Sequence, residues 1–354
     1  MKSDTDIRLK SGLQSKSSCR RYVLAAIILM LLLLVVFVFM LFSWELSYGK
    51  ASEAVIRQAV AKTLKKDPNE LTDSDFRTIK YFVLRDKELC DIMILEKFTN
   101  LKELDVTGIH YPSKKIPKWM KILAKLRIYD LSRRNAIDLS PLEKMPNLHR
   151  LQINDTYIKN IKPVEGLINL NQLSLGRTQI SDIRPLKGLK NLQILLLWET
   201  QVSDLEPLKE LTSLRSLSIY QTQVSDFEPL RELTNLRNLS LQRTQITNLE
   251  SVRGLTRLLG LVITNSQVQD LEPIKGLINL QKLYLDNTQV SNLEPIKNLT
   301  NLRELNLEGT PIFDLEPMKN LTNLQNLYIA NCNHITDEQV EDLQKALPNL
   351  KIDY

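Results

Sequence analysis

From Leu148 to Asn323 the chain is one 22-residue unit written eight times, and a ninth copy opens at Leu324. The copies begin at Leu148, Leu170, Leu192, Leu214, Leu236, Leu258, Leu280 and Leu302. A fixed short period is the signature of a solenoid: one unit cannot bury its apolar faces alone, but stacked units share a continuous core. Counting the opening leucine as position 1, positions 1, 4 and 6 are aliphatic, as in Leu192, Leu195 and Leu197. Positions 4 and 6 are two apart, so position 5 faces the other way, as in a strand. Position 11 is Ile or Val until His334, position 14 is Ile, Leu or Phe, position 17 is aliphatic and position 20 is leucine. A threonine column at position 9 (Thr156 through Thr310, with Ser266, then Cys332) is expected to bond the backbone of the next coil.

Two polar columns shape the turns. Asn or Asp at position 13 (Asn160, Asp182, Asp204 and their equivalents) offers oxygens to the unpaired N–H groups of a starting helical turn. Three residues later stands proline, from Pro163 to Pro317, with Ser251 the exception; proline is tolerated in a first helical turn. The return segment is therefore a short turn or 3₁₀ piece. Glutamine fills position 10 in six successive coils, Gln179 to Gln289, a pattern compatible with a hydrogen-bonded amide ladder or with ligand contact.

The L-x-x-L-x-L pattern at constant spacing resembles leucine-rich repeat proteins, of the short bacterial type found in internalins, over residues 51–354. The resemblance implies an α/β solenoid: a horseshoe with a parallel β-sheet on its concave side, short turns or 3₁₀ segments on its convex side, and helical caps. It also implies protein or peptide recognition, without identifying the partner.

Upstream, residues 1–21 form a basic tail expected to be disordered, with six Lys/Arg against two Asp; the whole chain is only +6, so the charge is mainly a tail property and does not point to nucleic acid. Val23–Phe42 is an uninterrupted apolar run of 20 residues, long enough for a bilayer core and too long for a cleaved signal. Residues 22–44 are therefore expected to be a transmembrane signal-anchor, and the positive tail places the N-terminus in the cytoplasm and the repeats outside it, in the periplasm or the cell exterior. Residues 45–78 read as a helical N-terminal cap: Ala54, Val55, Ala59, Val60 and Leu64 recur at helical spacing, Asp67-Pro68-Asn69 breaks the helix, and Thr72 with Asp75 forms a capping pattern. Residues 79–334 hold about twelve repeats, counting copies at Ile79, Leu101 and a 25-residue copy at Leu123 (Leu126, Ile128). Residues 335–354 form a C-terminal cap, with a helix after Thr336 and an edge strand around Leu350 and Ile352.

No catalytic constellation is present in the sequence. The three histidines (His110, His149, His334) and three cysteines are dispersed, no metal-ligand spacing occurs, and no Gly-rich phosphate loop appears, so no cofactor, metal or enzymatic activity is expected. Cys90 and Cys332 are too far apart in the repeat for a disulfide and read as buried thiols; Cys19 precedes the apolar run and could carry an acyl chain.

The outward strand positions 3, 5 and 7 line the concave face and are mostly polar or small. The coil at Leu192 departs from this with Ile194, Leu196 and Trp198, and Tyr220, Val262, Tyr284 and Tyr328 follow on the same face. An exposed apolar and aromatic patch marks a contact site. The sequence therefore reads as a membrane-tethered, non-enzymatic binding module displayed outside the cytoplasm, whose concave face takes a protein or peptide. An envelope scaffold without a discrete site, or a regulatory subunit of a membrane enzyme, are the alternative roles.

Overall fold

In the computed structural model, residues 52–84, 92–107 and 137–354 are described. The predicted tail 1–21 and signal-anchor 22–44 lie outside the described residues, as do His110 and Cys90; among the described residues no helix is long and apolar enough to cross a membrane. The repeat unit, Glu53–Tyr354, is a single compact body.

Twelve three-residue strands form one parallel sheet in strict sequence order. They are β1 Tyr81–Val83, β2 Glu103–Asp105, β3 Arg150–Gln152, β4 Gln172–Ser174, β5 Ile194–Leu196, β6 Ser216–Ser218, β7 Asn238–Ser240, β8 Gly260–Val262, β9 Lys282–Tyr284, β10 Glu304–Asn306, β11 Asn326–Tyr328 and β12 Lys351–Asp353. The central residue of each strand from β1 to β11 is the position-4 residue, Phe82 in β1 and leucine in the others, and all of these are buried. Return segments such as Arg184–Leu186 and Glu206–Leu208 are 3₁₀ turns, as their proline predicts.

β2 pairs directly with β3, Leu104 opposite Leu151, a separation of 47 residues where Leu173 and Leu195 are separated by 22. The copy expected at Leu123 lies outside the described residues; among those described, β3 follows β2 directly. The second coil takes its strand from Leu101 to Val106 and its return from Leu139, Leu142 and Met145, which are buried at positions 14, 17 and 20. Its extra 25 residues fall within 108–136, outside the described residues. Lys144 reaching Glu96 at 2.6 Å ties this return turn to that of the first coil. The C-terminal strand β12 adds one strand to the sheet beyond the repeats.

The polar columns act differently from each other. Position-13 oxygens accept from the N–H two residues on, as Asp204 does from Glu206 at 2.8 Å and Asp270 from Glu272 at 2.9 Å. They thus serve the turn from just ahead of its cap. Apart from Thr310, whose hydroxyl also lies 3.6 Å from Cys332 Sγ, the position-9 threonines do not bond the next coil. Each hydroxyl donates to the carbonyl three residues back in its own coil, as Thr222 does to Ile219 at 2.7 Å. The branched side chain sits where the strand bends, and that carbonyl is its nearest acceptor. Cys332 is the member that reaches the preceding coil, donating to the Leu307 carbonyl at 3.1 Å; it is a free, buried thiol. Nor do the position-10 glutamines form an amide ladder: their side chains are exposed and unbonded, and their backbone N–H groups join coils instead, as Gln201 does to Ile180 O at 2.9 Å. The side-chain ladder lies at position 22, where Asn169, Asn191, Asn235, Asn279, Asn301 and Asn323 each donate to a carbonyl 23 residues earlier.

Helices stand at both ends of the repeats; of the expected N-terminal cap 45–78, residues 45–51 lie outside the described residues. Helix α1 (52–64) buries Ile56, Val60 and Ala61; Ala54, expected on that face, is exposed. Helix α2 (Asp73–Thr78) opens on a Thr72–Asp75 box and drives Phe76 against Phe98, ring centres 5.2 Å apart, over the first coil. At the other end α3 (Asp337–Ala346) starts on Thr336 and Gln339 and buries Val340 and Leu343. His334, expected in the core column, is exposed; the chain has already left the repeat there, and Ile335 packs against the core instead.

Two outcomes follow. Thr222→Val removes a buried hydrogen bond and should lower stability by about 1 kcal/mol, whereas Ser266→Ala should be neutral or better, because the Ser266 hydroxyl is buried without a partner. Urea midpoints at constant slope compare the two; equal losses would show that the column is not held by its bond to the position-6 carbonyl. Asp75 is held down to about 2 from the usual 3.8 by Lys66, then by the backbone and hydroxyl of Thr72. Its contribution is present above pH 3.8 and lost as the pH falls toward 2. Asp75→Asn should therefore be less stable than the parent at neutral pH, with the difference closing over that acid window. A difference independent of pH would assign the effect to packing.

Candidate binding face

The strand alternation that buries position 4 turns positions 3 and 5 outward, and position 7 follows beyond the buried residue at 6. Leu195 and Leu197 are fully buried, while Ile194, Leu196 and Trp198 lie on the opposite face, as expected. They are half-buried, which corrects the expectation of a fully exposed patch. Parallel strands stand about 4.8 Å apart, so the side chains of neighbouring rungs cover one another: Ile194 lies between Gln172 and Ser216, and Leu196 between Ser174 and Ser218.

Trp198 owes its position to a glycine. A Cβ on Gly176, the residue at the same position one coil earlier, would fall 2.1 Å from the indole, so the ring lies directly over the bare backbone of that coil. Arg177 stacks over the indole at 5.8 Å and is fixed in turn by Glu199 at 2.9 Å and Asp155 at 3.4 Å. The Tyr220 hydroxyl donates to the other oxygen of Glu199 at 2.9 Å. Trp198 and Tyr220 are thus joined through a short network of ionic and hydrogen bonds. In it Glu199 is held below the usual carboxylate range, first by its hydrogen bond from Arg177, and Tyr220 is pushed above its ordinary value, first by Glu199. Asp155, Arg177 and Glu199 belong to a position-8 column in which Gln221, Arg243, Asn265, Asn287 and Asn331 also take positive φ. That left-handed geometry turns the chain at the end of each strand.

Beyond Tyr220 the face sinks into an open depression of about 410 Å³, lined by Tyr220, Gln242, Arg243, Val262, Thr264, Asn265, Tyr284, Asp286 and Asn306. It brings three of the sequence-predicted residues together: Tyr220, Val262 and Tyr284. Tyr284 is pinned by a hydrogen bond to Glu304, which also pairs with Lys282 at 2.8 Å; burial and Glu304 raise the phenol well above its usual range. Asp286 is raised as well, chiefly by burial. Tyr328 sits on the same face one strand further, its backbone in register with Asn306, and is not part of the depression. Ile194 and Leu196 flank the Trp198–Tyr220 cluster and do not reach it either.

Sequence reasoning selected apolar residues and so passed over Arg177, Glu199, Arg243 and Asp286. For Asp286 the signal was available, at position 7 with Trp198 and Tyr220; Arg177, Glu199 and Arg243 stand at position 8, next to the outward positions that were read. It also passed over Tyr81 and Val83, outward at positions 3 and 5 of β1 and 63% and 62% exposed. No group of His, Cys, Asp or Glu among the described residues is arranged to hold a metal ion. His149 is exposed, with Nδ1 2.7 Å from the Asn147 carbonyl.

A family model described as leucine-rich repeats, two copies, matches residues 190–232 and 278–320. The matched stretches carry leucine-rich repeats, and the solenoid repeats their unit along its sheet. Among solved structures, this leucine-rich repeat chain is similar to an internalin, inlF, of Listeria monocytogenes, at 28% identity and a TM-score of 0.67 over 84% of this chain and 87% of that one. Internalin C2 of the same organism is 26% identical with a TM-score of 0.51, over 71% and 91% of the two chains. The leucine-rich repeats of FLRT2, in an octameric complex with latrophilin 3 and Unc5D, share the fold at 18% identity and a TM-score of 0.61, over 80% and 84%. No curated protein matches the sequence. The fold is typical of protein-interaction modules, and no catalytic family is indicated.

Gly176→Ala tests the seat of the indole. With Trp44 and Trp119 replaced by Phe, emission then reports Trp198 alone. The added methyl should lift the ring into water, shifting emission to the red and raising acrylamide quenching, at a stability cost of about 1–3 kcal/mol. Unchanged emission would mean that the ring does not rest on Gly176.

Proposed function

We propose that this leucine-rich repeat protein is a non-enzymatic binding module, anchored in a membrane by residues 22–44 with its repeats outside the cytoplasm, that takes a protein or peptide on the outward face of its sheet. One observation carries the reading of the face: Trp198 and Tyr220 are held by a pre-formed network beside an open depression lined from five successive coils. Aromatic side chains fixed before binding lose little entropy on contact, which is what an interface anchor needs. The FLRT2 repeats, seen in complex with latrophilin 3 and Unc5D, are consistent with such use of the fold. The anchor and its orientation rest on the 20-residue apolar run and the six basic residues before it.

Two experiments test these parts separately. Leu196→Ser with Trp198→Ser should abolish capture of a partner purified with the parent chain. Because both side chains are half-buried, the pair should cost roughly 1–2 kcal/mol of stability, more than ordinary surface changes. Undiminished capture by the folded variant would move the site off this face. For topology, cysteines introduced at Lys2 and Lys345 in a chain without its own cysteines should react oppositely with an impermeant thiol reagent on intact cells: Lys345→Cys labels and Lys2→Cys does not. The reverse pattern would overturn the orientation.

A further inference from the structure

The charges on the outward face of the sheet are mostly spoken for. Arg150 pairs with Glu103, Arg177 with Asp155 and Glu199, and Lys282 with Glu304. The two charged residues that line the depression, Arg243 and Asp286, are different. Among the described residues neither makes an ion pair; Arg243 makes no side-chain hydrogen bond, and the Asp286 carboxylate accepts only from its own backbone N–H and, at 3.5 Å, from the Asn287 amide, too long for a firm bond. They sit two rungs apart, so the cation and the anion are separated by roughly 10 Å along the row of strands. The coil between them lines the depression with Val262, Thr264 and Asn265, and Tyr284 stands on the rung of Asp286.

A depression that holds a cation and an anion two rungs apart, neither in an ion pair, is complementary to a ligand with the opposite charges at the same spacing. An extended backbone provides this: residues i and i+2 project from the same side, about 6.8 Å apart, and flexible acidic and basic side chains cover the remaining distance. Taking the sheet face to be the binding face, we propose that the segment seated in this depression carries an acidic side chain for Arg243 and a basic side chain for Asp286, two residues apart. The acidic carboxylate meets the guanidinium as a two-pronged pair. The basic group meets Asp286 beside the Tyr284 ring, where partial burial strengthens the attraction. The residue between them points away from the sheet and is unconstrained.

The test pans a phage-displayed random heptapeptide library on the immobilised full chain and on a charge-swapped chain, Arg243→Glu with Asp286→Arg. A neutral chain, Arg243→Gln with Asp286→Asn, serves as a second variant, and unchanged far-UV spectra and melting temperature establish that each is folded. The parent should enrich peptides with an acidic and a basic residue at i and i+2. One such peptide, resynthesised, should bind both variants at least roughly tenfold more weakly. On the charge-swapped chain, peptides with the two charges exchanged should replace it. Enrichment without this charge pair, or enrichment that the swap leaves unaltered, would overturn the inference while leaving peptide binding on the face intact. Peptides that bind the parent but are indifferent to Trp198→Ser with Tyr220→Phe and to both charge variants would overturn the binding face itself, and no enrichment over bare support would overturn both.

Discussion

Everything in this chain depends on one constraint: each coil must return to the same place one strand spacing further on. The burial of the position-4 and position-6 residues enforces it. A leucine removed from water contributes about 1.5–3 kcal/mol, and every rung buries several. A coil out of phase would turn those residues to solvent and bring polar ones inside. The stack therefore tolerates extra chain only where it loops out without shifting phase. β2 and β3, 47 residues apart, keep the register of the other neighbouring repeat strands. The position-22 asparagines and the backbone bonds between coils then hold a spacing that apolar packing has already selected.

The same constraint builds the outward face. Residues 22 apart in sequence become neighbours in space, so a column becomes a row. Gly176 and Trp198 meet because they share position 7, and Asp155, Arg177 and Glu199 pair because they share position 8. A face assembled in this way is rigid before any partner arrives. That matters for affinity, since association itself costs an estimated 4–15 kcal/mol. Ile194, Leu196 and Trp198 are already half-covered by their neighbours and yield less on contact than fully exposed side chains would. An apolar patch of this size does not suffice alone; on the proposed reading, the polar depression from Tyr220 to Asn306 would supply the remaining contacts.

Much of this was legible in the sequence, and the reason is periodicity. The repeat gave the parallel sheet, the 3₁₀ returns and the outward positions 3, 5 and 7, and the flanking sequence gave helices at both ends with their Thr72–Asp75 and Thr336 starts. What periodicity does not carry is which of several neighbours a polar side chain chooses. The threonine column turned inward to its own coil, and the glutamine column bonded nothing, because a hydroxyl or amide takes the nearest acceptor and that depends on backbone direction. The copy at Leu123 matched three apolar positions by composition and lies outside the described residues, in which β3 follows β2 directly. On the face, hydrophobicity marked Trp198 and Tyr220 but was blind to Arg243 and Asp286, whose interest lies in the ion pairs they lack.

The register of the coil that opens at Leu192 is where fold and face meet, and thiol labelling reads it directly. In a chain whose three native cysteines are replaced, single cysteines would be placed in turn at 194, 195, 196, 197 and 198, and the labelling rate of the native protein measured. Fast reaction at 194, 196 and 198, with 195 and 197 reacting only at the rate of global unfolding, is the result expected of a sheet that turns Ile194, Leu196 and Trp198 outward. Protection at 194, 196 and 198 with rapid reaction at 195 and 197 would contradict the register, and with it the binding face.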